Sequence, residues 1–387
     1  MKLPPFWKVK RELWRVKEKV DHLIHRTIID PRRQARYERS RNLLVKETPG
    51  QQALTSRVVV LVLFQPKGVA PSTFLTLRHL AEEDWSVVIV ANSSLTDADR
   101  ERLAAHCAQI IERPNVGYDF GAYREGWLWL DRNRRQFERL ILMNDSTWFP
   151  LRSMDDTLRR MEGLDAGLAG HIFKSESAKD SSRDHIESHF LMFSSAAAAH
   201  PAIRAFWSNY VMSDLRALTI QQGEKGLTQT VIGAGLKVDA LLGRDRLISL
   251  LSAMSDTELL SVLQNLVFHN ASGRRLQTDL LAAAQAGKPW RDQLLDWTFK
   301  ELSGSPQHLL SVTFLDPAMS LGGMGFLKKS NEQRFQLARL AAIRGIEAGR
   351  IAPMDPVVEA EVRAAVAAWK PPFDWRANPN EVQVAEL

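Results

Sequence analysis

The chain has 387 residues, enough to bury a sizeable core in one large domain or two ordinary ones. Its apolar share of 45% and charged share of 25% exclude a disordered protein, and no apolar run approaches the roughly 18 residues that a membrane-spanning helix requires. The formal net charge is +6, but residues 1–50 hold 14 Lys or Arg against 6 Asp or Glu, so the remaining 337 residues sum to −2.

A basic excess confined to one end indicates contact with an anionic surface and argues against nucleic acid as a partner. Residues 1–50 are predicted to form a basic amphipathic segment, in which Trp7, Trp14 and Val20 recur near heptad spacing with Lys and Arg between them. Such a helix suits an anionic membrane surface. The alternative is a solvated helix packed on its own domain by the two tryptophans.

The cysteine content and the first residues indicate the compartment. The single cysteine, Cys107, excludes an internal disulfide framework and a cysteine zinc cluster, and it suits a reducing environment. Lys8, Lys10 and Arg11 interrupt any apolar core of a secretory signal. We therefore expect a cytoplasmic protein, peripheral to the inner face of the cell membrane.

Short apolar strands alternate with helices from residue 57 onward. Strands are predicted at 58–64, 86–91, 109–111 and 138–143, with helices at about 72–80, 96–105 and up to 130 between them. This alternation predicts an α/β fold, with a Rossmann-type, mostly parallel sheet flanked by helices. Ligands of such sheets bind at the carboxyl ends of the strands, so the loops there are the predicted functional region.

The later part of the chain changes in character. Further strands are predicted at 166–170 and 189–194, and from about residue 246 the pattern becomes helical, with a capping-box sequence from Ser255 to Glu258. We expect a catalytic domain over 57–245 and a mainly helical C-terminal region over 246–387. Its proline-rich tail, from residue 371, is expected to be loosely ordered.

The loop after the first strand, residues 65–71, has neither a GxGxxG turn nor a GxxxxGK[ST] loop. A Rossmann dehydrogenase and a P-loop NTPase therefore both lose support. A nucleotide bound by this sheet would have to be held by other means, commonly by a metal ion on the diphosphate.

The stretch 113–124 carries polar and aromatic groups that a plain turn does not need. Its glycines permit close backbone approach, and Asp119 is either a helix cap or an acceptor for a ligand. Arg113 and Arg124 are expected to pair with a donor diphosphate or simply with nearby acids. The candidate donor-binding residues here are Arg113, Asn115, Gly117, Tyr118, Asp119, Gly121 and Arg124.

The strand predicted at 138–143 ends in Asn144, Asp145 and Ser146. A carboxylate at this edge is a candidate ligand for Mg²⁺ or Mn²⁺, which bind one or two carboxylates together with diphosphate oxygens. Such an ion would neutralise the charge on a departing nucleoside diphosphate. We therefore predict Asp145 as a metal ligand and catalytic residue, with Asn144 and Ser146 in donor binding. The alternative is that Asp145 caps the next turn.

Five motifs in this order resemble the rhamnan synthesis protein F family. The first two, Arg-Pro-Asn-Val-Gly-Tyr-Asp-Phe-Gly-Ala-Tyr and Leu-Met-Asn-Asp-Ser, are the most specific part, and the others are His-Ile-Glu-Ser-His-Phe, Phe-Trp and Glu-Lys-Gly-Leu-Thr. They occupy residues 113–123, 142–146, 185–190, 206–207 and 224–228. The similarity covers about 57–245 and continues more weakly to about 330.

The resemblance implies a GT-A-like nucleotide-sugar domain that acts in bacterial cell-surface polysaccharide assembly. It implies a deoxysugar such as rhamnose as cargo, with dTDP-rhamnose as a candidate donor. In that frame, residues 144–146 occupy the place of an Asp-x-Asp metal motif whose second acid is absent here. The family tends to show Gln-Ser-Tyr or Asp-Ser-Tyr where this chain has Glu187, Ser188 and His189.

A sugar transfer that inverts the anomeric centre needs one general base near the acceptor hydroxyl. Glu187, in a polar loop before a strand, is the predicted base. His185, His189 and Glu224 are secondary candidates on the acceptor side, although Glu224 also suits the first turn of the helix that follows it.

We therefore predict a glycosyltransferase that extends a cell-surface polysaccharide or a lipid-linked glycan from a nucleotide-sugar donor. The missing second acid leaves a non-catalytic GT-A-like scaffold in a polysaccharide assembly complex as the alternative. Release of nucleoside diphosphate from a sugar donor separates the two.

Overall fold

A computed structural model describes residues 6–133, 137–175, 177, 180–304 and 309–370. Within these residues one nine-stranded mixed sheet lies between helices, and further helices follow it in the chain. The predicted α/β class, with a mainly parallel sheet and a helical C-terminal region, is confirmed. The tail predicted from residue 371 lies outside the described residues.

The sheet has the strand order β1-β4-β3-β2-β5-β9-β7-β10, and β8 pairs with β7 at its side. Six of these strands run in one direction, whereas β1, β8 and β9 run against them. The strands are β1 (Lys46–Pro49), β2 (Arg57–Leu63), β3 (Ser86–Ala91), β4 (Gln109–Glu112), β5 (Arg139–Asn144), β6 (Thr147–Trp148), β7 (Leu168–Lys174), β8 (His185–Ile186), β9 (Phe190–Ser194), β10 (Val238–Leu242) and β11 (Leu327–Lys328).

The helices of the first 245 residues connect these strands. They are α1 (Phe6–Ile24), α2 (Asp30–Leu44), α3 (Pro71–Glu82), α4 (Asp97–Ala104), α5 (Tyr118–Arg132), α6 (Thr157–Glu162), α7 (Ser195–Ala199), α8 (Pro201–Asn209), α9 (Arg216–Thr219) and α10 (Gly226–Gly233). A π-helical turn, Ile220–Lys225, joins α9 to α10 without a break. Turns of this type occur frequently at functional sites.

Both faces of the sheet are covered, which explains why its central strand is apolar throughout. Val60 of β2 belongs to a buried cluster with Phe120 and Trp127 of α5. Its neighbour Leu61 points to the other face and joins a cluster with Leu77 of α3. Because successive residues of a strand face opposite sides, a strand buried on both sides must be apolar at every position.

The C-terminal region consists of α11 (Arg244–Ala253), α12 (Asp256–Gln264), α13 (Ala271–Gln285), α14 (Arg291–Leu302), α15 (Leu315–Ser320), α16 (Gln333–Glu347) and α17 (Pro356–Ala367). Leu251, Phe314 and Val358 from this region lie in the same buried cluster as Leu61 of the sheet. The boundary predicted at residue 245 therefore separates two regions of the sequence, but both regions contribute to the same hydrophobic core.

Two contacts tie the C-terminal region to the edge of the sheet where the parallel strands end. Strand β11 pairs antiparallel with β6, which sets Leu327 opposite Trp148. Glu361 of α17 accepts hydrogen bonds from the Ser72 backbone N–H and from Trp148 Nε1, both at 2.8 Å. This pairing carries Lys328 and Lys329 to the functional edge of the sheet.

Helix α1 leads through a π-helical turn, His25–Ile29, into α2. Val16, Val20 and Leu23 are about half exposed or more and share one face of α1, since they are three or four residues apart. Trp14 is also exposed, but a separation of six residues turns it about 120° away from Val20. The predicted alignment of Trp14 with Val20 is therefore wrong, and the side chain of Trp7 lies outside the described part.

No helix in the described residues combines the length and the apolar character needed to cross a bilayer.

Candidate active site

A cavity of about 640 Å³ opens at the edge where the parallel strands end. Its walls come from the turns after β4 and β5, the end of β7, the loop before β9, the α9–α10 segment and the residues after β11. It is lined by Tyr118, Asp119, Phe120, Asn144, Ser146, Lys174, His185, Glu187, Ser188, His189, Arg216, Thr219, Ile220, Glu224, Lys328, Ser330, Glu332, Arg334 and Phe335. We call this cavity the main pocket.

The turn after β4 aims Asp119 into the main pocket. Gly117 and Tyr118 both have positive φ, at 76° and 51°, a conformation that glycine adopts without cost and other residues rarely adopt. The turn is anchored on Asp214, which accepts the Gly117 N–H at 2.9 Å and, through its backbone carbonyl, the Tyr118 hydroxyl at 2.8 Å. Asp119 is not the helix cap, because Gly117 holds that position.

Asp119 meets the end of β5, where Asn144 Nδ2 donates to Asp119 Oδ2 at 2.6 Å. Burial raises the pKa of Asp119 to about 7, and the negative charges of Asp145 and Glu224 add to this effect. Asn144 Oδ1 in turn accepts the Ser146 hydroxyl at 2.6 Å. The two predicted motifs, at 113–124 and 144–146, thus meet at one rim of the sheet.

Asp145 departs from its predicted role as a pocket acid. Its Oδ2 accepts the backbone N–H of Phe64 at 2.9 Å, and its carboxylate is not part of the lining of the main pocket. It lies in a separate small cavity with Lys329. The side chains of a β-strand alternate in direction, and this alternation at the end of β5 sends Asn144 to the pocket and Asp145 away from it.

Glu187 sits between two lysines at the floor of the main pocket. Lys174 Nζ lies 2.9 Å from Glu187 Oε1, and Lys328 Nζ lies 2.9 Å from Glu187 Oε2. Burial alone would raise the pKa of Glu187, but Lys174, Lys328 and His189 hold it well below its ordinary value. A carboxylate held this firmly in its charged form is a weak proton acceptor, which speaks against its predicted role as general base.

Two histidines extend this cluster below the pocket. Lys328 Nζ lies 3.0 Å from His189 Nδ1, and His189 Nε2 lies 2.9 Å from His171 Nδ1. His189 Nδ1 also lies 3.3 Å from Glu187 Oε2, so this nitrogen accepts from the Lys328 ammonium in one tautomer and donates to the Glu187 carboxylate in the other. Burial, with Lys328 nearby, lowers the pKa of His189 to about 4, so this ring is neutral at pH 7.

Glu224 reaches the main pocket from the π-helical turn before α10. It accepts a hydrogen bond from the Ser188 hydroxyl, and His185 Nε2 lies 3.7 Å from its Oε2. His185 Nδ1 lies 2.9 Å from the Arg183 carbonyl and donates to it. Of the secondary candidates, His185 and Glu224 are thus neighbours, whereas His189 belongs to the lysine cluster.

Arg113 and Arg124, predicted to hold a donor diphosphate, instead bind other groups of the protein. Arg113 donates to Asn92 Oδ1 at 2.7 Å and to the Val116 carbonyl at 2.7 Å. Arg124 donates to the Trp207 carbonyl at 3.1 Å and also binds Glu38. Both guanidinium groups are buried and lie outside the lining of the main pocket. They therefore stabilise the turn before α5 and the packing of α5 itself.

The remaining predicted residues of this stretch are Asn115, Gly117 and Gly121. Asn115 is exposed and lies outside the lining of the main pocket. Gly121 lies in α5 so close to the Val116 carbonyl that an added Cβ would come within 2.1 Å of its oxygen. Gly117 and Gly121 therefore allow the tight turn that presents Asp119.

No sequence motif indicated four cations of the pocket, which are Lys174, Arg216, Lys328 and Arg334. Lys328 and Lys329 follow the Gly-rich stretch 321–325, and this pair of lysines after a glycine-rich loop is the one hint in the sequence. Lys174 and Arg216 stand in segments without any motif.

The described residues contain no group of three or more His, Cys, Asp or Glu side chains placed to hold one metal ion. Where the turns after β4 and β5 meet, the pocket offers the Asp119 carboxylate and the Ser146 hydroxyl as oxygen ligands. Mg²⁺ and Mn²⁺ often bind one carboxylate together with phosphate oxygens of a substrate. A divalent ion would therefore depend on Asp119 rather than on Asp145.

Comparison with known proteins gives the following relationships. Residues 87–259 match the family described as rhamnan synthesis protein F, which confirms the resemblance over that range and supports a glycosyltransferase in polysaccharide synthesis. The chain is 27% identical, over 328 residues, to a Sinorhizobium fredii protein described as uncharacterized protein y4gN. That similarity covers 81% of this chain and 80% of the relative.

Two solved structures align with most of the chain at low sequence identity. The first is the mannosyltransferase PcManGT from Pyrobaculum calidifontis, in complex with GDP-Man and Mn²⁺, at a TM-score of 0.29 and 12% identity, covering 91% of this chain and 93% of that one. The second is S. aureus TarS 1–349 in complex with UDP, at a TM-score of 0.29 and 11% identity, covering 83% and 91%.

Proposed function

We propose that this chain is a glycosyltransferase that moves a sugar from a nucleoside-diphosphate donor onto a cell-surface polysaccharide or a lipid-linked glycan. The observation that carries the proposal is the main pocket, where Asp119, Glu224 and the Lys174–Glu187–Lys328 cluster meet at the ligand-binding edge of a parallel sheet. The match to rhamnan synthesis favours rhamnose or another deoxysugar as cargo, with dTDP-rhamnose as the candidate donor.

The positive charge needed by a departing diphosphate is supplied by this chain's own side chains. Lys174 and Lys328 share the single carboxylate of Glu187, so the cluster carries one net positive charge. Arg216 adds a second charge at the pocket wall. Fixed cations aimed at a developing anion are among the strongest contributions to catalysis. A divalent ion at Asp119, if bound, would neutralise the same diphosphate.

Glu224 is the proposed general base. It lines the pocket next to the imidazole of His185, whereas Glu187 is paired with two lysines. Its bond from the Ser188 hydroxyl fixes the orientation of the carboxylate. Glu224 would take the proton of the acceptor hydroxyl as that oxygen attacks the anomeric carbon, while the glycosidic bond to the diphosphate breaks.

Asp119 is proposed to act on the donor side. Its pKa of about 7 leaves it partly protonated at neutral pH, so it can either donate to or accept from a sugar hydroxyl. Its bond to Asn144 sets the orientation of the carboxyl group. The side chain thus suits recognition of the donor sugar.

The direct test is release of nucleoside diphosphate. The purified full chain is incubated with UDP-, GDP- and dTDP-sugars, including dTDP-rhamnose, with Mn²⁺ or with EDTA. We expect release from at least one donor, and the EDTA arm reports whether a metal contributes. Absence of release from every donor in both arms would contradict the proposal.

A non-catalytic scaffold in a polysaccharide assembly complex is the second candidate. The position of Asp145 favours it, since the acid predicted for the metal motif contacts Phe64 and not the main pocket. A scaffold would raise its melting temperature with a nucleotide sugar, because a ligand that binds the native state stabilises it. It would release no nucleoside diphosphate in the same assay.

Helix α1 is proposed to rest on an anionic membrane surface at the inner face of the cell membrane. Val16, Val20 and Leu23 present an exposed apolar face. Arg11, Arg15 and Lys19, each four residues from the next, form a basic strip about 100° around the helix from this apolar face. A helix with one apolar face and one basic face binds in the interface plane of anionic bilayers.

A further inference from the structure

The turn that presents Asp119 to the main pocket rests on a short stretch of chain, residues 212–214, which we call the turn support. At one end of the turn support, Asp214 anchors the turn through its carboxylate and its backbone carbonyl. At the other end, Met212 packs so closely on the turn that a Cβ added to Gly117 would lie 2.7 Å from Met212 Cβ. The position of Asp119 therefore depends on what holds the turn support.

Helix α2 holds the turn support at both of its ends. The Arg33 guanidinium forms an ion pair with the Asp214 carboxylate. Its neighbour Gln34 accepts the Met212 backbone N–H on Oε1 at 2.8 Å. Two adjacent residues of one helix thus fix the first and the last residue of the turn support.

The next turn of α2 contacts helix α5, which begins in the same turn. The Tyr37 hydroxyl accepts from Arg113 Nε at 3.1 Å and donates to Glu125 at 2.9 Å. Glu38 lies 2.7 Å from the Arg124 guanidinium. These two residues of α2 follow the pair that holds the turn support by four positions each, so one face of the helix makes all the contacts.

The ion pair between Arg33 and Asp214 contributes more to geometry than to stability. The two side chains are 33% and 43% exposed, and ion pairs this accessible to water add little to the free energy of unfolding. The turn, in contrast, requires support from outside, because Tyr118 has a φ of 51°, which is costly for a residue with a side chain. A contact of this kind suits the placement of a group better than the stability of the fold.

We infer that α2 is a positioning element of the active site, in which Arg33, acting through Asp214, holds Asp119 in the orientation that meets the donor sugar. This inference rests on the proposed glycosyltransferase function and assigns the part of the chain that sets donor recognition. Residues 1–50 then serve the active site as well as the membrane surface proposed for α1. Helix α2 has this role although it precedes the range 87–259 that matches the family.

The test uses three variants of the full chain. Arg33→Met removes the charge but keeps an unbranched side chain, and Arg33→Lys restores a cation for Asp214. Arg36→Met, at an exposed position of the same helix, is the matched control. Hydrogen–deuterium exchange of residues 113–124 reports on the turn. Nucleoside diphosphate release from dTDP-rhamnose, or from another nucleotide sugar that the wild type cleaves, reports on the reaction.

In Arg33→Met the Gly117 amide, which donates to Asp214, should exchange about fivefold faster, because the group that holds its acceptor is lost. The KM for the donor should rise about fivefold, as for one lost hydrogen bond, at a nearly unchanged kcat. A merely structural role would instead reduce the folded fraction, and so lower kcat at an unchanged KM. Arg33→Lys should recover most of both losses, and Arg36→Met should show neither.

Wild-type exchange of the turn in Arg33→Met, or a fall in kcat at an unchanged KM, would overturn the inference. In an Asp119→Asn background, Arg33→Met should raise KM no further, since both changes act on one contact. A further fivefold rise there would show that Arg33 acts through another group. If the wild type cleaves no nucleotide sugar, the proposed function fails, and the exchange measurement alone decides whether Arg33 holds the turn.

Discussion

Lys328 Nζ lies 2.9 Å from Glu187 Oε2, although the two residues come from distant parts of the chain. The pairing of β11 with β6 brings Lys328 to the pocket floor, where Lys174 already holds the other carboxylate oxygen. Glu187 is buried, and a buried carboxylate requires such partners to remain charged. The C-terminal region therefore completes the site that the central sheet begins.

Replacing Lys328 by Met should weaken both the fold and the reaction. Met keeps much of the side-chain volume but leaves Glu187 with one lysine, which should lower the free energy of unfolding by about 2 kcal/mol. Nucleoside diphosphate release should fall about tenfold or more, since a cation beside the leaving group is lost. Urea unfolding measures the stability and the release assay measures the reaction, with Lys288→Met, at an exposed position, as the control. If Lys328→Met has wild-type values in both measurements, Lys328 does not have the role assigned to it.

Glu224→Gln should separate catalysis from stability. The amide keeps the shape and still accepts from Ser188 but cannot take a proton, so turnover should fall about 10²–10⁴-fold at an almost unchanged melting temperature. Glu187→Gln is the comparison, because it leaves two buried lysines without their counter-charge and should mainly lower stability. Near-normal turnover in Glu224→Gln would assign the base to another residue.

Asp119 should make stability depend on pH. Its pKa in the folded protein is raised to about 7, above the value of about 3.9 for an unfolded chain. Between about pH 4 and pH 7 the folded state holds more protons on this group than the unfolded state does, so its contribution to stability falls as pH rises.

Asp119→Asn should remove this dependence. In urea unfolding, the stability of the variant relative to the wild type should therefore be greater at about pH 8 than at about pH 5. The same difference at both pH values would show that the carboxyl group titrates normally in the folded chain.

Asp145→Asn should have only a mild effect. The amide oxygen can still accept the Phe64 N–H, and the side chain lies outside the main pocket. We expect turnover within about tenfold of the wild type and a loss of stability of about 1 kcal/mol or less. A loss of turnover as large as that of Glu224→Gln would instead return Asp145 to the centre of the reaction.

Val20→Asp should release the protein from anionic vesicles. Val20 is 48% exposed on the apolar face of α1, and a carboxylate there adds repulsion to the loss of buried apolar area, which should weaken binding about tenfold or more. Sedimentation with phosphatidylglycerol vesicles measures this. Ile232→Asp, at another exposed apolar position, is the matched control, and equal behaviour of the two variants would remove α1 from the membrane proposal.

Local sequence patterns predicted the secondary structure well. Strand β3 has the predicted bounds, and the predicted capping box forms completely between Ser255 and Glu258. These features depend on neighbours within a few residues. The motif at 117–119 also predicted a pocket turn, since its glycine and its acid act within that turn.

The roles of individual charged groups depended on contacts between distant segments. The sequence by itself determined the α/β class, the edge of the sheet predicted to bind ligands and the stretches that reach it, because the strands, the helices and their burial follow from local periodicity. Only the tertiary structure decided that Asp145 turns away, that Arg113 and Arg124 are occupied within the core, and that Lys328 reaches Glu187. The charge and basicity of a side chain are set by whichever groups fold against it, and periodicity does not carry that information.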